Sequence, residues 1–277
     1  MIIRKAYEYA KVYLKNIENA EPVFEAKQII MHITGLNASE ILSQYANELS
    51  EEQFDALCDI LYRRKSGEPL QYIFGEWEFY GLNFKVGQGV LIPRADTEIL
   101  CEKAIEHIAD KPLRVIDLCS GSGCIALAVA SKCKNASVFA LEKETEAYKY
   151  LLENIKNLNL NVTPVLDDVF SFKSEEKFDV ILSNPPYIKS NDIPSLQKEV
   201  LSEPKTALDG GEDGLKFYKA IAAGAKERWL NENGKIFFEI GFDQAKDVSD
   251  VLKQNGFSNI KIINDYNGLN RVVEATL

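Results

Sequence analysis

Asn184-Pro185-Pro186-Tyr187 directly follows the apolar run Phe178-Asp179-Val180-Ile181-Leu182-Ser183. The run reads as a buried strand, and the four residues after it are a poor continuation of a sheet. They suit a pocket for a planar group that carries an NH2. Asn184 offers a side-chain carbonyl as acceptor. Proline lacks an N–H but keeps its carbonyl, so Pro185 can supply a second acceptor from a stiff backbone. Tyr187 can lay a ring face against a flat amide or base. Taken alone, the tetrapeptide is as readily a proline turn, and other residues must decide.

A second constellation lies upstream. Val115-Ile116-Asp117-Leu118-Cys119-Ser120-Gly121-Ser122-Gly123-Cys124-Ile125-Ala126-Leu127 reads as strand, tight loop and helix. Gly121 and Gly123 let the backbone turn sharply and approach a ligand with no Cβ in the way. The following helix points its free N–H groups at that ligand. A lone G-x-G is weak. Glu142, at the end of the next strand, strengthens it, because a carboxylate there accepts hydrogen bonds from both ribose hydroxyls. Asp168 falls where an adenine amino group would lie. Each of the three could instead be structural: Asp117 a loop cap, Glu142 a surface carboxylate, Asp168 a turn residue. Their register with Asn184 favours a site. The loop has no G-x-G-x-x-G, since Ala126 stands at the third glycine position, and the chain has no P-loop. Asp117 suits a cofactor with a cationic amino-acid end better than one with a phosphate. S-adenosylmethionine combines adenine, ribose and such an end.

These groups need a scaffold, and the periodicity supplies one. Residues 1–68 read as all helix. Val23, Ala26, Ile29 and Ile30 keep helical spacing up to Gly35, and Ser50-Glu51-Glu52-Gln53 is a capping-box pattern before Phe54, Leu57, Ile60 and Leu61. Residues 69–93, rich in β-type side chains punctuated by Gly75, Gly81, Gly87 and Gly89, predict a β-hairpin linker. From 94 to 277 strands alternate with helices. Strands are expected at 113–118, 137–141, 162–166, 178–183, 235–240, 260–263 and 271–275. Helices are expected near 96–109, 124–132, 144–157, 213–230 and 243–254. This alternation predicts an α/β fold with a mostly parallel sheet covered on both faces.

Composition narrows the classes further. The chain has 277 residues, 46% hydrophobic, with a net charge of −10, so it lacks the broad basic surface of a non-specific nucleic-acid binder. Five cysteines without a C-x-x-C pair, and no apolar leader, read as reduced thiols of a cytoplasmic protein. No apolar run approaches a membrane span. Two histidines, His32 and His107, are too few for a histidine-rich metal site, and no metal is expected.

The chain resembles the HemK/PrmC family, the N5-glutamine methyltransferases that modify peptide chain release factors. The likeness spans nearly the whole sequence. It rests on Pro69-Leu70-Gln71-Tyr72-Ile73-Phe74-Gly75, Val90-Leu91-Ile92-Pro93-Arg94, Asp96-Thr97-Glu98, Asn184-Pro185-Pro186-Tyr187-Ile188, Glu203-Pro204 and Ala207-Leu208-Asp209-Gly210-Gly211. N-P-P-Y also occurs in adenine N6-methyltransferases, and the other segments narrow the match. The resemblance implies a small N-terminal helical domain that docks substrate, a β-hairpin and a seven-stranded Rossmann-like (class I) S-adenosylmethionine-dependent methyltransferase domain. It implies that Cys119, Ser120, Gly121, Ser122 and Gly123 form the cofactor loop, that Glu142 holds the ribose, and that Asp168 and Val169 border the adenine. Asn184 would lie between cofactor and substrate, with Asn184, Pro185, Pro186 and Tyr187 holding the glutamine of a Gly-Gly-Gln loop in a release factor. S-adenosylhomocysteine would be the product. Three departures stand out: Cys119 where glycine is common, Val169 where a larger residue often covers the adenine, and Ala95 in place of a proline.

The chemistry expected of Asn184 is orientation: accepting both N–H bonds of an amide at Asn184 Oδ1 and the Pro185 carbonyl concentrates electron density on nitrogen. Adenine N6-methylation would use the same logic but needs a phosphate-binding surface and room for a flipped base. Only Arg63-Arg64-Lys65 forms a basic run, and the net charge opposes that reading. A nucleotide-sensing module without chemistry leaves the tetrapeptide unexplained, and a dehydrogenase lacks the fingerprint glycines.

Overall fold

The apolar runs beyond residue 110 form one seven-stranded sheet in a computed structural model that describes residues 1–277. The chain gathers into two units, Met1–Gly75 with Gln197–Ser202, and Glu76–Leu196 with Glu203–Leu277.

In the first unit, α1 (Ile3–Leu14), α2 (Pro22–Thr34), α3 (Ala38–Ser43), α4 (Glu51–Lys65) and α5 (Leu70–Phe74) pack around Ala6, Ala10, Leu14, Ile29, Ile30, Leu57 and Leu61. Local chemistry sets their ends. Pro22 opens α2, and Gly35 closes it at φ 70°, a left-handed position that favours glycine. The Ser50–Gln53 capping box forms in both directions, and Asn37 and Glu40 form a second one on α3. Val23, expected on the buried face of α2, is instead exposed, while Ala26, Ile29 and Ile30 face the core. Residues 70–74, expected in the hairpin linker, are helical. Pro69 stands at the N-cap and Gly75 turns left-handed at the C-cap, so the brackets outweigh the β-type side chains between them.

The short helix α9 (Lys198–Leu201) belongs to this unit. The buried Arg64 guanidinium donates to Glu25 at 2.8 and 3.1 Å and to Glu199 on α9 at 2.6 Å. Its removal would strand the buried Glu25 carboxylate.

The second unit begins with a hairpin, β1 (Glu76–Phe79) and β2 (Leu82–Lys85), turning at Tyr80-Gly81. The sheet then uses β3 (Arg114–Leu118), β4 (Ser137–Glu142), β5 (Val162–Leu166), β6 (Phe178–Ser183), β7 (Leu230–Glu239), β8 (Ser258–Asn264) and β9 (Asn270–Thr276), in the order β5-β4-β3-β6-β7-β9-β8. Only β9 runs antiparallel to its neighbours. Strands β3 and β6 are buried almost throughout, which is why they read as continuous apolar runs. The pleat deals their side chains to two cores. Val115, Val180 and Leu182 meet one core with residues of α6 (Thr97–Ile108), α7 (Cys124–Lys132) and α8 (Thr145–Leu158). Ile116, Leu118 and Ile181 meet the other with α10 (Lys216–Gly224) and α11 (Ala245–Gln254).

The long helix expected over 213–230 is shorter: α10 widens into a π-helical turn at Ala225–Trp229. There Trp229 fills the second core against Phe172, and only glycine at 224 leaves room for its indole, since a Cβ would come within 2.3 Å of the ring. The other tryptophan, Trp77, packs from β1 against the first core. Going outward from β3 the chain winds to β4 and β5, then returns to β6 and winds the other way, so a crevice opens between β3 and β6 at their carboxyl ends.

Arg64→Ala is expected to destabilise the first unit by about 3–5 kcal/mol, read from helical circular dichroism during urea denaturation.

Candidate active site

A cavity of about 400 Å³ occupies that crevice, within the range usual for small-molecule sites. Residues following β3, β4, β5 and β6 line it: Cys119 to Ser122, Glu142, Asp168 with Val169, and Asn184 with Pro186. The structure therefore gathers most of the residues that the sequence singles out, from positions far apart in the chain.

The glycine loop is built as a clamp. The Ser120 N–H donates to the Leu141 carbonyl at 2.9 Å and the Gly123 N–H to the Ser120 carbonyl at 2.8 Å. Gly123 has φ 81°, and a Cβ there would meet Leu151 at 2.4 Å, so both backbone and packing require glycine. Cys119 has φ 63°, a left-handed value that carries strain for a residue with a side chain. Burial pushes its thiol pKa well up, with the Glu142 and Asp117 carboxylates adding to the effect, so it is no ready nucleophile.

Glu142 holds the loop as well as facing the cavity. One oxygen accepts the Gly121 N–H at 2.7 Å, and the other accepts the Lys143 and Glu144 N–H groups, both at 2.8 Å. Burial raises its pKa against the pull of these donors. Of the roughly four acceptor sites on a carboxylate, about one stays open. Asp168 is also committed: one oxygen takes the Phe170 N–H at 3.0 Å, the other pairs with Lys143 at 3.0 Å. Burial opposes ionisation there, but the Phe170 N–H and the Lys143 ammonium outweigh it and lower the pKa.

Four expected residues sit elsewhere than in the cavity wall, and one of them is Gly123, which packs against Leu151. Asp117 lies on the pleat face shared with Val115, fully buried, and its carboxylate accepts the Ala126 N–H at 3.2 Å. It anchors the start of α7 and does not line the cavity. Pro185 is buried, and its carbonyl accepts no hydrogen bond from the chain. Tyr187 packs against the second core, so its ring forms no cavity wall. The aromatic walls are instead Phe170 and Phe217, with centroids 5.1 Å apart and the Lys216 ammonium 5.0 Å from the Phe170 centroid. An exposed phenylalanine right after Asp168-Val169 was the available signal for Phe170.

Other contributors join remote segments. Glu203 accepts the Ile92 N–H at 2.9 Å and pairs with Arg94, tying the Val90–Arg94 wall to the Glu203-Pro204 turn. Beside the tetrapeptide the Gly210 N–H donates to the Ile188 carbonyl at 2.8 Å and the Ile188 N–H to the Leu208 carbonyl at 2.9 Å, and a Cβ on Gly210 would meet the Tyr187 backbone at 2.7 Å. Buried Asn154 on α8 takes the Lys85 N–H at 2.7 Å and donates to the Ser122 carbonyl at 3.0 Å, bracing the loop from behind. Asn184 itself donates through Nδ2 to the Thr97 hydroxyl at 3.3 Å, which leaves its carboxamide oxygen on the cavity side.

A parallel sheet that reverses at a glycine loop, with an amide and prolines beyond its fourth parallel strand, defines a methyltransferase domain of the doubly wound class. Residues 96–215 match the methyltransferase small domain, and residues 5–75 match the PrmC N-terminal domain. The chain is 41% identical over 254 residues to a release factor glutamine methyltransferase of Thermodesulfovibrio yellowstonii, covering 90% of each. It is 38% identical over 274 residues to the one of Geobacter sulfurreducens, covering 98% of this chain and 95% of that one. In fold it is similar to a methyltransferase from Pyrococcus furiosus, with TM-score 0.53 and 20% identity over 80% of this chain and 98% of that one. The chain belongs to the release factor glutamine methyltransferase family. No helix is long and apolar enough to cross a membrane.

Two predictions follow from the strained and buried groups. Cys119→Gly is expected to change stability by less than about 1 kcal/mol, and Cys119→Val to cost about 2 kcal/mol, because a β-branched residue tolerates the left-handed region least; thermal unfolding of both variants measures this. Burial pushes the Glu239 carboxyl at the end of β7 up to about 7, opposed by the Thr97 hydroxyl and by Arg271 and Arg94, and aided by Asp96. The unfolded chain releases that proton near its ordinary ~4.3. The folded state therefore holds more protons between the two values, and this contribution to stability is lost as pH rises through about 7. Between about pH 5 and pH 8, Glu239→Gln should gain about 2–4 kcal/mol relative to the parent chain, measured by urea denaturation at each pH.

Proposed function

We infer that this enzyme transfers a methyl group from S-adenosylmethionine to the side-chain amide nitrogen of the glutamine in the Gly-Gly-Gln loop of peptide chain release factors, acting in the cytoplasm. The observation that carries the reading is the amide of Asn184, held by Nδ2 with its oxygen turned to a cavity that the glycine loop and Glu142 also line. The names of the similar proteins point to the same reaction.

The cavity suits the cofactor. The Ser120 hydroxyl is buried in its wall with no partner, and Gly121 presents bare backbone beside it. Glu142 has capacity for a ribose hydroxyl, and Val169, Phe170 and Phe217 supply apolar surface for a base. When bound, S-adenosylmethionine supplies an electrophilic methyl group on a sulfonium. The chain's task is to prepare the nucleophile. An amide lone pair is delocalised into its carbonyl. Acceptance of one N–H by Asn184 Oδ1 draws density onto nitrogen and aims it, and the Pro185 carbonyl, next in the chain and unpaired, is the acceptor for the other once the substrate enters. The surplus proton leaves to water after transfer, so no histidine or thiolate is needed. Pro186 and the Gly210 contact with Tyr187 keep this turn rigid.

An adenine base would present a similar NH2. The basic run that could hold a phosphate backbone is otherwise engaged: Arg63 pairs with Glu68 at 2.7 Å, and Arg64 is buried between Glu25 and Glu199. That favours the protein substrate.

Labelled S-adenosylmethionine offered with a release factor and, separately, duplex DNA tests the reading. Label is expected on the release factor, at glutamine by peptide mass spectrometry, and label on DNA or on another residue would overturn it. Asn184→Ala should keep cofactor binding and lose about 10²–10³ in turnover.

A further inference from the structure

Resting on this functional reading, we propose that Gln244 is a positioning residue that fixes the turn carrying the acceptor amide of Asn184. That turn has little backbone with which to hold itself. Pro185 and Pro186 carry no N–H, so neither can donate to a neighbouring segment. The acceptor atoms must still stay where the substrate amide meets them, because a misplacement of about 1 Å can cost on the order of 10²-fold in rate. A donor from another part of the chain has to supply the anchor.

Gln244 supplies it. This residue lies directly before α11, in the loop that follows β7, and it is buried. Its Nε2 donates to the Tyr187 carbonyl at 3.0 Å and to the Gly214 carbonyl at 3.4 Å. Its Oε1 accepts the Gly241 N–H at 3.0 Å. These partners decide which way the amide points. Carbonyls only accept and an N–H only donates, so Nε2 must face Tyr187 and Oε1 must face Gly241. The main chain of Gln244 is equally committed: its N–H donates to the Gly241 carbonyl at 2.9 Å, and its carbonyl accepts the Val248 N–H at 3.0 Å. The anchor is therefore rooted in α11. The fit around it is tight. A Cβ on Gly241 would come within 2.9 Å of Gln244 Oε1, and one on Gly214 within 2.7 Å of Nε2 and 2.5 Å of the Tyr187 oxygen. One amide thus joins three segments: the loop after β7, the stretch around Gly214 and the turn after β6. Gln244 does not line the cavity, so it acts through the turn and touches no ligand. Tyr187 is three residues from Asn184 with two prolines of fixed φ between them, and a constraint on its carbonyl reaches the amide that faces the substrate.

The experiment compares Gln244→Leu and Gln244→Glu with the parent, on intact enzyme with S-adenosylmethionine and a release factor. Leucine removes both ends of the amide. It should lower kcat by about 10- to 100-fold, with the cofactor Kd changed less than about twofold. Glutamate makes the anchor depend on its proton. Protonated, its O–H donates to the Tyr187 carbonyl and its C=O accepts from Gly241; ionised, it only accepts and sets a charge against two carbonyl oxygens. The ratio of glutamate-variant to parent kcat should fall by at least about fivefold from pH 5.5 to pH 9, with the cofactor Kd unchanged at each pH. Taking the ratio cancels the groups that both enzymes share, Asp243 next in sequence and Glu239, Asp96, Arg94 and Arg271 around Tyr187. In an Asn184→Ala background the leucine loss should shrink to less than about threefold, because Gln244 acts through that amide. Parental turnover by Gln244→Leu, a glutamate ratio that is flat with pH, or an undiminished leucine loss in the Asn184→Ala background would each overturn the proposal. If the leucine variant does not fold, Gln244→Met enters the same cycle. Failure of the parent enzyme to methylate the release factor would strike at the functional reading instead, and the same comparison on the acceptor it does methylate would still judge Gln244.

Discussion

Taking a carboxyl group out of water is costly unless donors replace the water, and this fold does so three times beside one cavity. Asp117, Glu142 and Glu203 are all buried. Each holds an element that would otherwise be free: the start of α7, the glycine loop and the Val90–Arg94 wall. Charge-assisted bonds to backbone N–H groups are directional, so each carboxyl acts as a fixed peg for a loop. Burial raises the pKa of all three, which measures how far the donors fall short of bulk water. The acidity of the chain is thus partly inside it, at the ends of the strands, where it shapes backbone for a ligand.

The sheet was legible because parallel strands buried on both faces leave unbroken apolar runs, and β3 and β6 do so with little ambiguity. The tetrapeptide and the glycine loop were legible because their chemistry sits in contiguous residues whose types are unusual at a strand end. Asn154 and Phe170 were not. Asn154 reads as one polar residue of an amphipathic helix, and only folding brings it to the carbonyl of Ser122. Thr97 was visible within a family-like segment, but its contact with Asn184 joins two elements far apart in sequence. Asp117 shows the converse: its position before the loop suggested a ligand contact, while the two-residue period of β3 turns its side chain under α7. Residues 70–74 were misread because apolar and aromatic side chains there favour a strand in isolation, and the caps at Pro69 and Gly75 decide otherwise.

The segments that join the site are short and lie far apart in sequence, yet they meet through backbone. Ile188 and Gly210 bond to each other through their main chains, and Gly210 has no room for even a methyl group against Tyr187. Such a contact specifies the turn after Asn184 by exclusion, with no side chain available to rearrange. It explains in physical terms why a pair of glycines accompanies the proline turn in this chain, and why the rigidity of the acceptor pair is a property of two segments together.

Both tryptophans, Trp77 and Trp229, belong to the second unit, and the helices of the first carry none. Trp229 is packed in a dry aromatic setting against Phe172, in the core that also lies beneath Leu118 and Val169. The near-ultraviolet emission of this molecule is therefore a built-in reporter of the second unit. A red shift from Trp229 would announce that water had reached the layer beneath the site.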